Sequence, residues 1–188
     1  MPQPTLATRR LRLRPFLAED APVVRELAGE RAIADTTLNI PHPYEEGMAE
    51  EWIKSHEPGY EEGASATFAI VRRDDAVLAG AIGLQIDSVL KKAELGYWVG
   101  KPFWNRGFAT EATLAVLKFG FEDLGLNRIL ARHLERNPAS GRVMQKAGML
   151  REGIARQDII KWGRYEDLVS YAMLREEWQG LHADPGRQ

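Results

Sequence analysis

The chain has 188 residues, of which 44% are hydrophobic and 28% charged, and it contains no cysteine. This length suits one globular domain, and the composition is not that of a disordered protein. The absence of cysteine excludes disulfide scaffolds, thiolate metal sites, iron–sulfur clusters and cysteine nucleophiles. The formal net charge of -2 gives no electrostatic reason to expect nucleic acid or an anionic membrane as a partner. Without a long apolar run or a signal-peptide core, we expect a cytoplasmic protein.

The N-terminal region predicts a strand followed by a helix. Residues 10–14 alternate between arginine and leucine, so Leu11 and Leu13 are expected to face inward. The arginines at positions 9, 10, 12 and 14 form either the solvated face of this strand or a phosphate-binding patch. The helix begins at about Asp20, which can cap it, and ends at Gly29.

A second helix is predicted from about Tyr44 to His56, after the break at residues 41–43. Apolar residues spaced four apart give this helix one apolar face. The same region is rich in acidic residues: Glu45, Glu46, Glu50, Glu51, Glu57, Glu61 and Glu62. These glutamates form either a solvated helix face or a field that attracts a cationic amine.

Strands and helices alternate through the rest of the chain. We predict three strands, a helix, a strand, a helix and a closing hairpin, at residues 67–72, 77–86, 93–99, 109–124, 128–134, 138–147, 154–160 and 168–173. The first of these helices is expected to place four apolar side chains on one face: Leu114, Leu117, Phe121 and Leu124. This order predicts a mixed α/β layer fold with one parallel crossover. We expect a single domain over residues 1–188, with its core at 8–178 and a polar tail at 182–188.

The loop at residues 105–109 is the most informative segment, because it joins a strand to the start of a long helix. Gly107 lets the backbone approach a ligand closely, and Ala109 is too small to block that approach. The free N–H groups and the positive dipole end of the helix favour an anion, to which Arg106 adds a full charge. The loop is therefore either a phosphate site or an ordinary strand–helix turn.

Other well-known signatures are missing from the sequence. It contains no P-loop, no dinucleotide-binding glycine motif, no serine nucleophile elbow and no H-E-x-x-H helix. The four histidines, at positions 42, 56, 133 and 182, lack the spacing of metal ligands, so we expect no metal site.

Several motifs, in the right order, resemble the GCN5-related N-acetyltransferase (GNAT) superfamily and its RimJ/RimL-like ribosomal-protein N-terminal acetyltransferase subgroup. The family's pyrophosphate loop, R/Q-x-x-G-x-G/A, resembles residues 104–109, although Trp104 replaces the first Arg or Gln. The other matching blocks are residues 8–16, 41–44, 93–98, 137–140 and 146–149. The resemblance covers residues 8–178. It implies a mixed α+β, three-layer fold whose central, mostly antiparallel sheet contains a splayed parallel strand pair and is flanked by helices.

The resemblance also implies acetyl-CoA as the cosubstrate. Backbone N–H groups of the loop would hold the pyrophosphate, the strand at Trp98 and Val99 would pair with the pantetheine arm, and Asn137 would contact that arm besides capping its helix. The residues implied to bind CoA are Trp98, Val99, Arg106, Gly107, Phe108, Ala109, Thr110, Asn137, Ser140 and Lys146.

Transfer to an amine needs a general base and a proton for the leaving thiolate. Glu94 matches the catalytic glutamate of the histone-acetylating branch, and the alternative is a structural glutamate paired with an arginine. A second family pattern would place the base at the position of Arg132, and the usual proton-donating tyrosine is replaced by Met144. Ser140 matches a RimJ/RimL-like serine whose hydroxyl would bind the CoA sulfur, so it would orient the thiol or relay a proton. A backbone N–H near Val99 would polarise the carbonyl.

The resemblance therefore implies an N-acetyltransferase that passes the acetyl group directly to a primary amine in a ternary complex. The amine belongs either to a protein N-terminus or to a small molecule. The alternative is a non-catalytic acyl-CoA-binding or regulatory domain. We expect neither nucleic acid nor membrane as a partner. Dimers are frequent in the family, and the strand edge of the C-terminal hairpin could form one.

Overall fold

The computed structural model describes residues 2–182 of the chain. Eight strands are found in this range: β1 (Leu6–Ala7), β2 (Leu11–Arg14), β3 (Ser65–Arg72), β4 (Leu78–Asp87), β5 (Lys92–Val99), β6 (Arg128–Leu134), β7 (Leu150–Lys161) and β8 (Arg164–Leu174). The α-helices of the same range are α1 (Ala21–Ala28), α2 (Arg31–Thr36), α3 (Met48–Lys54), α4 (His56–Glu61), α5 (Phe108–Lys118), α6 (Pro138–Lys146) and α7 (Arg175–His182).

All eight strands form one sheet, in the order β1-β2-β3-β4-β5-β6-β8-β7. Every neighbouring pair is antiparallel except β5 and β6, which are parallel and are joined through α5. A parallel pair needs such a crossover because its strands start at the same edge of the sheet. The mixed, mostly antiparallel sheet with one parallel pair confirms the predicted fold class.

Helices cover both faces of the sheet because successive strand residues point to opposite sides. On one face, Phe68 and Ile70 of β3 pack with α5 and α6. On the other face, the intervening Ala69 and Val71 pack with α1, α2 and α3. Leu11 and Leu13 are fully buried, as their alternation with arginine predicted. The three-layer arrangement is therefore confirmed.

Several predicted helices differ in extent. The helix expected at 44–56 is replaced by α3 and α4, and the sequence reading missed α2 and α7. Asp20 precedes α1 but does not cap it, since its carboxylate accepts hydrogen bonds from Arg14 and from the backbone N–H of Leu17. The helix expected at 109–124 ends at Lys118 and continues as a π-helical turn at Phe119–Asp123.

The four apolar side chains predicted to share one face of this helix are not equally buried. Leu114 is 37% exposed, whereas Leu117 and Phe121 are buried. The early part of α5 turns smaller residues, Ala112 and Val116, towards the sheet. The wider π turn then inserts an extra residue, so the buried face is not aligned along one regular helix.

The closing hairpin is longer than predicted, with β7 starting at Leu150 and β8 ending at Leu174. Trp162 and Gly163 connect the two strands with φ of 49° and 77°, the signs of a type I′ turn. His182, expected in a polar tail, ends α7, and residues 183–188 lie outside the described range. Within residues 2–182, no helix is both long and apolar enough to cross a bilayer. The cytoplasmic location, the single domain and the dimer stay predictions.

Candidate active site

The parallel strands β5 and β6 separate part of the way along the sheet. They pair over four positions, from Lys92 opposite Arg128 to Leu95 opposite Ala131, and then diverge. Two cavities lie beside the open part, with volumes of about 360 Å³ and about 660 Å³. Five residues line both cavities: Thr36, Thr37, Tyr97, Trp98 and Ser140. The divergence of one strand pair thus creates a connected site through the middle of the sheet.

The smaller cavity reaches the loop before α5, where the backbone turns sharply. Asn105 and Gly107 have φ of 60° and 76°, a region that glycine adopts without strain and asparagine tolerates. Among the described side chains, none caps the start of α5. The first N–H groups of an α-helix have no intrahelical acceptor, so those of Phe108, Ala109 and Thr110 are available to an anion.

The loop is attached to the N-terminal edge of the sheet through Arg10 and Glu111. The Arg10 guanidinium donates 2.7 Å to Glu111 Oε2 and 2.9 Å to the carbonyl of Arg106, and it stacks 5.1 Å from the Phe108 ring centroid. Burial opposes ionisation of Glu111, but hydrogen bonds from Thr8 and Arg10 outweigh it and hold the pKa of that carboxyl below its ordinary value. The carboxylate of Glu111, in the first turn of α5, thus holds Arg10 in place, and Arg10 in turn holds the loop through the Arg106 carbonyl.

Nine of the ten residues predicted to bind CoA line the smaller cavity: Trp98, Val99, Gly107, Phe108, Ala109, Thr110, Asn137, Ser140 and Lys146. The tenth, Arg106, is exposed and does not line this cavity. Its carbonyl instead accepts the hydrogen bond from Arg10. Trp104, which stands where the family motif has Arg or Gln, donates its indole N–H to the Val99 carbonyl at 2.6 Å.

Asn137 and Ser140 sit at the start of α6; both line the smaller cavity, and Ser140 also lines the larger one. Asn137 caps the helix by accepting from the Ser140 N–H at 3.4 Å, as predicted, and it also donates to the Thr36 carbonyl at 3.1 Å. The Ser140 Oγ lies 2.8 Å from the Tyr97 hydroxyl, which also donates to the Ser140 carbonyl at 3.0 Å. Burial raises the pKa of Tyr97 to about 12, so its phenol is protonated at neutral pH.

Glu94 lies on the floor of the larger cavity and is ion-paired. Both of its carboxylate oxygens accept hydrogen bonds from Arg132, at 3.0 and 3.1 Å, at the point where β6 begins to separate from β5. Arg132 also lies 3.6 Å from Asp158 of β7. This pairing with an arginine is the structural alternative for Glu94, and it leaves the carboxylate facing the cavity.

The walls of the larger cavity are mainly aromatic and aliphatic. Tyr44, Trp52, Tyr97 and Trp98 line it, whereas Trp162 and Tyr165 do not. Among the described residues that line this cavity, there is none of the seven glutamates between positions 45 and 62. All seven are exposed, so the structure favours a solvated face over a field inside the site. Within residues 2–182, no three His, Asp or Glu side chains come together as they would around a metal.

The sequence analysis did not predict the contacts that four residues of this site make: Arg10, Tyr97, Glu111 and Arg132. Tyr97 lies within the block at residues 93–98 that carried the family resemblance, and Glu111 lies in the first helical turn after the loop motif at 104–109. Arg10 and Glu111 are 101 positions apart in the chain. No local pattern reports such a contact, because helix and strand periodicities describe neighbours along the chain.

The sequence of the chain places it in a known family. Residues 10–150 match the family described as the acetyltransferase (GNAT) domain. The N-acetyltransferase YnaD of Bacillus subtilis, itself uncharacterised, is 33% identical over 175 residues, which cover 92% of this chain and 98% of that protein. The [ribosomal protein uS5]-alanine N-acetyltransferase of Escherichia coli is 23% identical over 130 residues, or 68% of this chain and 64% of that protein.

The fold is also shared with solved structures. RimL, a ribosomal L7/L12 alpha-N-protein acetyltransferase crystallised with coenzyme A, superposes with a TM-score of 0.83 at 19% identity, covering 91% of this chain and 98% of that one. At that identity the likeness shows the fold alone. The assignment of family and activity rests instead on the family match and on the relatives found by sequence. The chain belongs to the GNAT family, and it is an acetyl-CoA-dependent acetyltransferase.

Proposed function

We propose that the protein transfers the acetyl group of acetyl-CoA directly to a primary amine within a ternary complex. The observation that supports this most strongly is the meeting of two cavities at Tyr97, Trp98 and Ser140. One cavity ends at the anion-binding start of α5, and the other opens on the opposite side of the strand gap. A cosubstrate and an acceptor in these two cavities would meet without a covalent acyl-enzyme.

The smaller cavity has the groups that acetyl-CoA requires. The free N–H groups of Phe108, Ala109 and Thr110 and the ammonium of Lys146 form a donor set suited to a pyrophosphate. The backbone of Trp98 and Val99 lines the same cavity where β5 has left β6, and there it would pair with an extended arm. Acetyl-CoA, when bound, supplies the activated acetyl thioester.

The chain supplies the proton transfers around that thioester. Glu94 would accept the proton of the incoming ammonium, directly or through one water, because both its oxygens retain a lone pair beside the Arg132 hydrogen bonds. Arg132 would fix the orientation of the carboxylate. The Ser140 hydroxyl would donate to the leaving sulfur, and a backbone N–H near Val99 would polarise the carbonyl.

The acceptor is a primary amine on a protein N-terminus or on a small molecule. The test is release of free CoA thiol from acetyl-CoA in the presence of separate panels of small amines and of short peptides. We expect release that depends on the acceptor, together with a mass gain of one acetyl group on the amine. Tight acetyl-CoA binding with no acceptor-dependent release from either panel would overturn the proposal.

A further inference from the structure

The larger cavity carries little charge for a site that binds an amine. Of the described residues that line it, only Glu94 and Arg132 are charged, and they are paired with each other. Asp158 lies 3.6 Å from the same guanidinium, outside the lining. One arginine and two carboxylates leave a single uncompensated negative charge on the floor. That charge suits one ammonium group.

Two carboxylates adjoin lining residues of this cavity without lining it: Asp35 precedes Thr36, and Glu166 lies opposite Ile159 in the sheet. Arg136 pairs with both, at 3.1 Å from Asp35 and 2.9 Å from Glu166, so neither offers a free anionic site. Lys161 is buried beside this group, and burial together with the charge of Arg136 lowers its pKa. An existing cation beside the cavity is therefore already disfavoured, mainly by burial, and a second ammonium on a bound acceptor would meet the same desolvation penalty.

The walls between floor and rim are largely apolar, and the other side chains in them are mostly neutral: Thr36, Thr37, Asn39, Thr67 and Gln85. The apolar parts are formed by the loop after α2, by α3 and by the end of β7, through Leu38, Ile40, Pro41, Trp52, Ile159 and Ile160. Trp52 is backed by Phe16 and His56, with ring centroids at 5.0 and 4.4 Å. Burial lowers the pKa of His56 to about 4, so this backing is neutral at physiological pH. A surface of this kind favours hydrocarbon over charge.

We infer that the acceptor is a monoamine whose amino group carries an apolar body, and that amines with a second positive charge are discriminated against. This inference rests on the proposed function and specifies its acceptor. The apolar body is either an alkyl or aromatic group of a small amine or the first side chain of a peptide. Both sources share the same chemistry, and separate arms of the experiment distinguish them.

The test uses pairs of acceptors of similar length. n-Pentylamine and putrescine differ by a terminal methyl in place of an ammonium, and tripeptides beginning with leucine or lysine make the same comparison at a peptide N-terminus. We expect kcat/KM to be at least about tenfold higher for the apolar member of whichever pair is the better substrate. Equal values, or a preference for the charged member, would overturn the inference while leaving the acetyltransferase intact. Turnover of none of the four would overturn the proposed function as well.

A substitution inside the cavity tests the same point with a matched control. Leu38→Glu adds a carboxylate to the wall, and Leu38→Gln adds a neutral group of the same size. We expect Leu38→Glu to shift the putrescine to pentylamine ratio of kcat/KM by about tenfold towards putrescine, and Leu38→Gln to leave it within about twofold of the unmodified protein. Acetyl-CoA affinity, measured by calorimetry, reports whether either variant is folded. A folded Leu38→Glu protein with an unchanged ratio would contradict the placement of the acceptor body against this wall.

Discussion

The Tyr97 hydroxyl lies 2.8 Å from the Ser140 Oγ, on the wall shared by the two cavities. Tyr97 comes from β5 and Ser140 from α6, the helix that follows β6, so the contact links the two sides of the strand gap. With its pKa raised to about 12, the phenol keeps its single proton. Either the Ser140 carbonyl and the Ser140 Oγ share that proton as acceptors, or the Ser140 hydroxyl donates to the phenol oxygen in return. We regard Tyr97 as a positioning residue that orients the Ser140 hydroxyl.

Tyr97→Phe should lower kcat by about tenfold while changing the KM for acetyl-CoA little, because it removes the partner of Ser140 and leaves the loop before α5 intact. Ser140→Ala should cause at least as large a loss. If Tyr97 acts through Ser140, adding Tyr97→Phe to Ser140→Ala should cost less than about a further twofold. Steady-state kinetics of the two single variants and the double variant make this comparison. Independent, multiplicative losses would refute the positioning role.

Glu94→Gln separates the two interpretations of that residue. The amide oxygen can still accept from Arg132, but the side chain can no longer take a proton. If Glu94 is the general base, kcat should fall by roughly 10² or more and lose the limb of its pH profile that reports the base. If Glu94 only anchors Arg132, kcat and its pH profile should stay close to those of the unmodified enzyme. Arg132→Met is the control for Glu94→Gln, because it breaks the same ion pair but keeps the Glu94 carboxylate.

Gly107 and Gly163 form a matched pair for testing the CoA loop. Their φ values are 76° and 77°, but Gly107 lies before α5 and Gly163 at the tip of the last hairpin, where an added Cβ meets nothing within 4 Å. An alanine at either position should cost about 1 kcal/mol of stability through the same backbone strain. Only Gly107→Ala should also weaken acetyl-CoA binding, measured by calorimetry. Equal affinities in the two variants would argue against a pyrophosphate at the loop.

His56 makes stability depend on pH. Among residues 2–182, neither of its ring nitrogens has a hydrogen-bond partner, and burial lowers its pKa from 6.5 to about 4. The unfolded chain therefore binds the proton more tightly, so stability present above pH 6.5 is lost as the pH falls towards 4. The loss from this one residue can reach about 3 kcal/mol. Urea unfolding at several pH values should show that slope reduced in His56→Phe, and an unchanged slope would assign it to other groups.

Local features of the fold were predictable because they depend on neighbouring residues. Three features follow from short patterns, and the structure shows each of them: the alternation at Leu11 and Leu13, the cap at Asn137 and the closing hairpin. The helix α2 was missed because it is short and is held by packing of Ile33 and Ala34 rather than by a strong periodic signal.

The site was predictable only where a motif lies along one segment. The residues 107–110 could be identified from their order, whereas the ion pair of Glu94 with Arg132 depends on the register of two strands separated by a helix. The residue type at position 132 excluded a general base there. It did not show that Arg132 would donate hydrogen bonds to Glu94, the candidate base. Register is fixed by burial across the whole sheet, so it emerges only in the assembled fold.

The contact between Arg10 and Glu111 has a consequence for how the protein folds. Contacts between residues so distant along the chain form slowly, because a long loop must close before they contribute any stability. The loop before α5 cannot take its final orientation until the first strands have joined the sheet. Acetyl-CoA binding during refolding would therefore follow the completion of the native topology, and it should appear later than the far-ultraviolet signal of the helices.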